Sequence, residues 1–470
     1  MAKATMKKSA ELDLRRTVVF WNERHAEGKA LRTKVPRESF ADWKAPKNRH
    51  DPVKTVLASN KGRLSQFVPI RMGRMAASPF AFLRGAASVM AGDLFAGPST
   101  GIDVIMDGDA HVNNFGLYGT PQRDIIFDLN DFDEATLGPW EWDLKRLVAS
   151  VNVAARQNGM NRKERKAAVM DCVDGYRINA ARLQSFGVLD TWYLHAYPGR
   201  TNPVVNIDPK ARAVIDKCVA KAKRTDNHAL LAKITERQGH GEVRFREDPP
   251  ILTKVHKATR EAVIDGLNRY ASTLSRDRRY MLGRYQVIDV CHRIVGVGSV
   301  GTRAYLVLLF GNDDGDPLFL QVKEAIAPAH APYLPALPAE FRDNGNRVVM
   351  GQRSLQASSD VMLGHTQIGG RDFFVRQMKN LKASIPVEWL TGSAFNFYAR
   401  ACGTILARAH ARTGDVARIA GYCGSSAVLD QALAQWAESY GDQTESDHAA
   451  FLDAIHRGDV EADLSQSDSD

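Results

Sequence analysis

The hexapeptide Gly296-Val297-Gly298-Ser299-Val300-Gly301 constrains the fold more than any other feature of this 470-residue chain. It has the spacing GxGxxG, which occurs in two different structural settings. A dinucleotide-binding unit needs a strand, the glycines and then a helix. Here the residues that follow, 304–310 (AYLVLLF), read as a strand. Strand, glycines and strand make a hairpin lid whose backbone can cover the phosphates of a nucleotide. The next strand ends in Leu320-Gln321-Val322-Lys323, and a lysine at that position can reach the α- and β-phosphates.

Two earlier segments carry matching chemistry. Gly108-Asp109-Ala110-His111-Val112-Asn113-Asn114 follows a short apolar run, 102–106 (IDVIM), that reads as a buried strand. An Asp and an Asn five positions apart on one loop can serve phosphoryl transfer together. Asp109 would accept the proton of an attacking hydroxyl or orient the acceptor, and the Asn114 carbonyl oxygen would ligate Mg²⁺. Residues 127–147 (FDLNDFDEATLGPWEWDLKRL) then concentrate Asp128, Asp131, Asp133 and Glu134 at the end of a second strand, 124–129. Crowded carboxylates are costly unless a cation offsets them, and hard cations prefer oxygen ligands. Asp143 is expected to cap or anchor the helix after Gly138-Pro139.

The rest of the chain divides by pattern. Residues 1–77 read as an N-terminal arm whose first 60 residues look loosely packed, with ten Lys or Arg against four Asp or Glu in the first 37. Helical periodicity begins at Ser78 with Pro79 in the first turn, and 141–280 reads as mostly helical, with an interruption near 198–210. Consecutive strands begin at about 283, followed by an Ala/Pro-rich linker, a helix at 346–357 and a strand pair around LGHTQI and DFFVRQM. Helices resume at 394–412 and 427–457, and 459–470 reads as a disordered acidic tail. The expected divisions are thus 1–77, 78–282, 283–392, 393–458 and 459–470.

Composition excludes several classes. Hydrophobic residues make up 44% and charged residues 25%, as in soluble globular proteins. No apolar run reaches the roughly 18–20 residues that span a bilayer, and the N-terminus lacks the apolar core of a secretory signal, so a cytoplasmic protein without membrane partners is expected. The five cysteines, Cys172, Cys218, Cys291, Cys402 and Cys423, form no CxxC pair, which points to reduced structural thiols. The formal charge of +9 suits phosphate-bearing small ligands, and no basic stripe with interleaved aromatics suggests nucleic acid as a partner.

GDAHVNNFG together with NDFDEA and GPWEWDLKRL resembles the catalytic loop and metal-binding segment of aminoglycoside phosphotransferases and choline kinases. More closely, SPFAFLRGAA, GDAHVNNFG, FDLNDFDEA, WDLKRL, GVGSVGTRAY, VRQMK and LARAHART resemble an uncharacterised bacterial family, domain of unknown function 2252, from about residue 30 to 455. The kinase resemblance implies an α+β, two-lobed protein-kinase-like fold with ATP and Mg²⁺ as cofactors. It makes Asp109 the acceptor-orienting acid, Asn114 a metal ligand and Asp131 the main metal carboxylate, with Asp128 as its rival. Gly296, Gly298 and Gly301 would form the lid, Lys323 would hold the phosphates, and Arg376 would face the ligand near the hinge.

Kinases run lid, lysine, helix, hinge, catalytic loop, metal Asp and then helices. Here the catalytic loop precedes the lid by about 190 residues, so a circular permutation is expected, with a helical C-lobe and a small antiparallel N-lobe sheet. The helix at 346–357 contains no Glu to pair with Lys323; Gln352, Gln356 or Glu340 could substitute. That departure keeps open a pseudokinase or AMP-transferring protein modifier, and the +9 charge keeps open a non-enzymatic scaffold or nucleic-acid-binding protein. Arg71, Arg74 and Arg84 are candidate phosphate clamps or structural ion pairs. Lys379 and Lys382 are further candidates for the ligand, while His111, His365, His410, Trp140 and Trp142 read as structural. The pattern does not identify the acceptor or the oligomeric state.

Overall fold

The structure is a computed structural model that describes residues 17–198 and 209–465, apart from residues 240, 295 and 379. Most of the expected interruption at 198–210, the first 16 residues of the arm and the end of the acidic tail lie outside the described residues.

Five helices come first: α1 (Trp21–Ala30), α2 (Pro52–Ala58), α3 (Val68–Ala76), α4 (Pro79–Gly85) and α5 (Ala87–Phe95). Local chemistry starts them. Asp51 accepts from the Lys54 amide at 3.0 Å and Ser78 from the Ala81 amide at 3.1 Å, each ahead of a proline at the first helical position. Four short strands follow: β1 (Asp103–Met106), β2 (Phe115–Gly119), β3 (Ile125–Leu129) and β4 (Thr136–Pro139). Next come α6 (Trp140–Gln157) and α7 (Arg162–Leu183), the latter opened by a capping box between Asn161 and Glu164.

The middle of the chain holds α8 (Val188–Tyr193), α9 (Pro209–Lys223), α10 (Asn227–Ile234), β5 (Thr235–Gln238), β6 (Glu242–Phe245), β7 (Leu252–Lys254), α11 (Lys257–Tyr270) and α12 (Arg276–Leu282). Then come β8 (Gln286–Arg293), β9 (Ala304–Phe310), β10 (Pro317–Glu324), α13 (Asn344–Leu355), β11 (Gly364–Ile368), β12 (Arg371–Gln377) and β13 (Ala383–Ser384). The chain closes with α14 (Gly392–Thr413), α15 (Val416–Cys423) and α16 (Val428–His456).

The fold is α+β. Its main sheet has six antiparallel strands in the order β11-β12-β10-β9-β8-β7. Side chains alternate across it. Val307, Leu320, Val322 and Val375 pack on one face with Val263, Leu267 and Tyr270 of α11. Leu306, Leu308 and Phe319 pack on the other with Leu230, Phe245 and Leu252. Gln321 and Lys323 share the face of Phe319, and this places both toward the cleft beside the helical body.

The helical body forms around α6, α7, α14 and α16. The crossing of α7 and α14 is close because glycine lies at it: a Cβ on Gly403 would stand 2.0 Å from Cys172 O, and one on Gly175 2.4 Å from Arg400 O. Trp140 is buried and stacks on Tyr176 with ring centroids 5.5 Å apart, so packing is its role. All five cysteines are free and buried, and burial pushes Cys423 up to about 12. Among the described residues no helix is long and apolar enough to cross a membrane.

Three expectations need correction. The described part of the arm is packed: Phe40 and Val56 are buried, and α1 crosses α15 so closely that a Cβ on Gly28 would stand 2.0 Å from Arg418 O. Residues 459–465 of the tail are likewise held, with Val460 buried and the Asp463 amide donating to Pro69 O at 2.8 Å. The region expected to be helical contains β5, β6 and β7, and β7 and α11 already belong to the sheet side of 283. These strands are three or four residues long, too short for a periodic signal.

A Cβ on Gly421 would stand 2.0 Å from His25 O. Gly421→Ala is therefore expected to cost about 1–3 kcal/mol in a urea unfolding titration, since α1 must shift. An unchanged midpoint would mean that the arm is not part of the cooperative core.

Candidate active site

The loop after β1 is held from behind. Gly108 adopts φ +79°, and a Cβ there would meet Glu134 O at 2.2 Å, so only glycine fits. Asp143, in the first turn of α6, accepts from the Asp107 amide at 2.6 Å and the Gly108 amide at 2.8 Å. His410 of α14 places Nε2 3.1 Å from Asp143 and Nδ1 2.8 Å from the Tyr176 hydroxyl. Asp143 thus clamps the loop as well as opening its own helix, and His410 has a positioning role that its sequence context did not reveal.

The loop presents Asp109 and Asn114 to the cleft. Asp109 accepts from Arg146, with Nη2 at 2.7 Å and Nε at 2.8 Å. Burial raises its pKa to about 7, against the pull of Arg146. His111 lies 3.7 Å from Asp109, and burial together with Arg84 and Arg146 holds the imidazole well below its ordinary pKa, hence neutral. Asn114 donates its Nδ2 to Asp109 O at 2.7 Å, which leaves its carbonyl oxygen as the acceptor.

The acidic run after β3 divides in two. Asp128 is fully buried and bonded to Arg408 of α14, to the Ala357 amide at 2.8 Å and to the Leu129 amide at 2.9 Å. It does not line the cleft, so the structure removes it from the metal candidates. Asp131 does line it. Burial would raise its pKa, but Lys323, Arg376 and Lys382 outweigh burial and hold the carboxylate ionised. Asp133 bonds Lys323 Nζ directly and accepts from Ser299 Oγ at 3.1 Å, while its Oδ1 is buried without a partner among the described residues.

The glycine loop, which links β8 to β9, lies over this acidic run. Gly296 and Gly301 adopt φ +64° and +86°, the left-handed region that glycine favours. The expected hairpin lid is not a free flap. Leu64 N donates to Gly301 O at 2.7 Å, Arg63 Nη1 to Val300 O at 2.7 Å, and Arg74 Nη1 to Gly296 O. Val297 and Val300 are buried against these helices. On the other side Arg376 donates to Gln321 Oε1 at 3.0 Å and Asn130 O at 3.2 Å.

One cleft of about 1980 Å³ brings together Asp109, Asn114, Asp131, Gly296, Gly298, Lys323 and Arg376. Gly301 shapes the loop from outside this lining. The helix α13 supplies no carboxylate. Its Arg347 is fully buried and donates to the carbonyls of Ala135 at 2.5 Å, Ile326 at 2.7 Å and Asp133 at 2.9 Å. Gln356 bonds Leu129 O at 2.7 Å and Gln352 bonds Gln356, so neither reaches Lys323. Lys379 and the side chain of Glu340 lie outside the described residues. Arg146, Arg347 and Arg408 were not legible as site residues, although all lie beside motifs that were.

Among the described residues no three His, Cys, Asp or Glu side chains converge as a metal cage. A magnesium ion shared with phosphates needs only one or two carboxylates. The ionised Asp131, the Asn114 carbonyl oxygen and the unpartnered Asp133 Oδ1 fit that requirement.

The two aspartates separate in their expected behaviour. Asp128→Asn breaks a buried ion pair and is expected to cost about 3–5 kcal/mol of unfolding free energy, read by urea titration. A loss below about 1 kcal/mol would contradict the structural assignment of Asp128.

Residues 63–454 match the family model for domain of unknown function 2252 (DUF2252), described as an uncharacterized protein conserved in bacteria. The match covers far more than half of the chain, which therefore belongs to this family. No curated protein and no solved structure matches.

Proposed function

We propose that this member of the family is an ATP- and Mg²⁺-dependent phosphotransferase of kinase-like, circularly permuted fold, acting on a small-molecule acceptor. The observation that carries the reading is the single cleft in which Asp109, Asn114, Asp131, the glycine loop and Lys323 meet, although the chain separates the first and last by more than 200 residues. From β8 onward the elements follow the order lid, lysine strand, helix and strand pair, and the catalytic loop and acidic run come first in the chain. Joining the C-terminal helices to the N-terminal ones restores the order of a kinase. The docking of α1 on α15 supports that closure.

In this reading the glycine-loop amides and Lys323 hold the triphosphate. A magnesium ion held by Asn114 and Asp131 would neutralise charge on the phosphate oxygens. Asp109, fixed by Arg146, orients the acceptor hydroxyl and receives its proton as the oxygen bonds the terminal phosphorus and the bond to ADP breaks. Asp133 and Arg347 replace the usual helix glutamate: the first pairs with Lys323, and the second fixes the backbone that carries Asp133. This exchange also motivates the alternative of AMP transfer.

Product analysis by phosphorus NMR decides between them. The chain with Mg²⁺·ATP and a low-molecular-weight cell extract is expected to form ADP and a new phosphomonoester. Lys323→Met and Asp109→Asn should each slow this on the order of 10²-fold or more. Pyrophosphate with AMP-modified protein would favour nucleotidyl transfer, and no ATP consumption would overturn the enzyme reading.

A further inference from the structure

Three arginines ahead of the catalytic loop, Arg63, Arg71 and Arg74, face the cleft without an ion pair among the described residues; Glu134 acts on Arg63 and Arg71 only at a distance. Arg71 is 2% exposed and Arg74 4%. Their donors meet only neutral oxygens. Arg71 bonds Asn60 Oδ1 at 2.6 Å and Gly85 O at 2.8 Å, and Arg74 bonds Gly296 O. Arg63 bonds Ser59 O at 3.1 Å and Val300 O at 2.7 Å. The Nε groups of Arg71 and Arg74 are buried with no partner among the described residues. Burial, with Arg63 as a like charge beside it, pushes the Arg71 guanidinium well below its ordinary range.

A buried charge is retained in a fold when something compensates it. Arg146 and Arg408, equally buried, each hold a carboxylate. Lys217, Lys221 and Lys233 also line the cleft, but they are exposed and water compensates them. Arg71 and Arg74 have neither a paired carboxylate among the described residues nor exposure to water, and the partly exposed Arg63 adds a like charge beside Arg71. Their position narrows what the missing anion belongs to. Arg71 bonds the residue that follows Arg84, and the charge of Arg84 bears on His111, two residues from Asp109. The group therefore sits between the glycine loop and the catalytic loop, where an acceptor approaches Asp109. The triphosphate already has the loop amides and Lys323.

We propose that Arg63, Arg71 and Arg74 bind an anionic substituent of the acceptor, of phosphate type, so that the substrate is a small molecule bearing both a phosphate and the hydroxyl to be phosphorylated. This inference rests on the phosphotransferase reading. Guanidinium groups suit a phosphate because each presents a planar pair of donors.

Isothermal titration calorimetry with inorganic phosphate tests it on the full chain loaded with Mg²⁺ and a non-hydrolysable ATP analogue. The loaded chain is expected to bind phosphate, and Arg71→Met to weaken that binding by about tenfold or more while the analogue binds as before. Should Arg71→Met not fold, Arg63→Gln is read for the same loss of phosphate. The proposal is overturned if the loaded wild type does not take up phosphate. It is equally overturned if Arg71→Met loses analogue and phosphate together, since the arginines then serve the nucleotide. Failure of the analogue to bind wild type overturns the phosphotransferase reading instead; phosphate binding abolished by Arg71→Met would still support an anion site.

Discussion

The ion pair between Lys323 and Asp133 holds the two halves of the molecule in register. Lys323 ends the central strand of the sheet, its side chain 2% exposed, and Asp133 belongs to the segment that leads into the helical body. An ammonium buried so deeply needs a carboxylate, and that requirement places the acidic run under the sheet rather than in solvent. Arg347 then fixes the same run by its backbone, and Ser299 brings the glycine loop down onto it. The cleft is what remains between these contacts. Asp131 stays ionised because cations from three separate segments, Lys323, Arg376 and Lys382, face it.

This arrangement gives Lys323 an acidic partner although α13 carries no glutamate. The lysine is held by an acid on the helical side of the cleft, so one contact both orients it and joins the sheet to the acidic run. The arm and the tail add further contacts around the cleft. Arg63, Leu64 and Arg74 hold the glycine loop, and the Asp463 amide holds α3, which carries Arg74. Segments that look peripheral in the chain therefore set the shape of the loop.

The elements legible in the sequence were those with strong local signals. The strands from β8 to β12 read from apolar alternation and turn residues, α14 and α16 from long helical periodicity, and the loop around Asp109 from its glycine and polar spacing. What stayed hidden depends on partners far away in the chain. Asp128 and Asp131 are three residues apart and chemically alike. They separate only because Arg408, 280 residues on, pairs with one of them. The motif LARAHART read as a family signature, but its meaning, Arg408 on Asp128 and His410 on Asp143, is a matter of packing. The packed arm left no periodic pattern because it is held by close crossings at Gly28 and Gly421 and by isolated buried side chains such as Phe40 and Val56.

The central claim is that the cleft binds Mg²⁺·ATP through Asp131. The most direct measurement is the melting midpoint of the wild type and of Asp131→Ala, each with ATP, with Mg²⁺ and with both. A ligand at about 100 times its dissociation constant adds roughly 2.7 kcal/mol, which moves the midpoint of a chain this size by roughly 2–4 °C. The account predicts that rise in the wild type only when both are present, and its loss in Asp131→Ala. No rise in the wild type at millimolar Mg²⁺·ATP, or an equal rise in the variant, would contradict it.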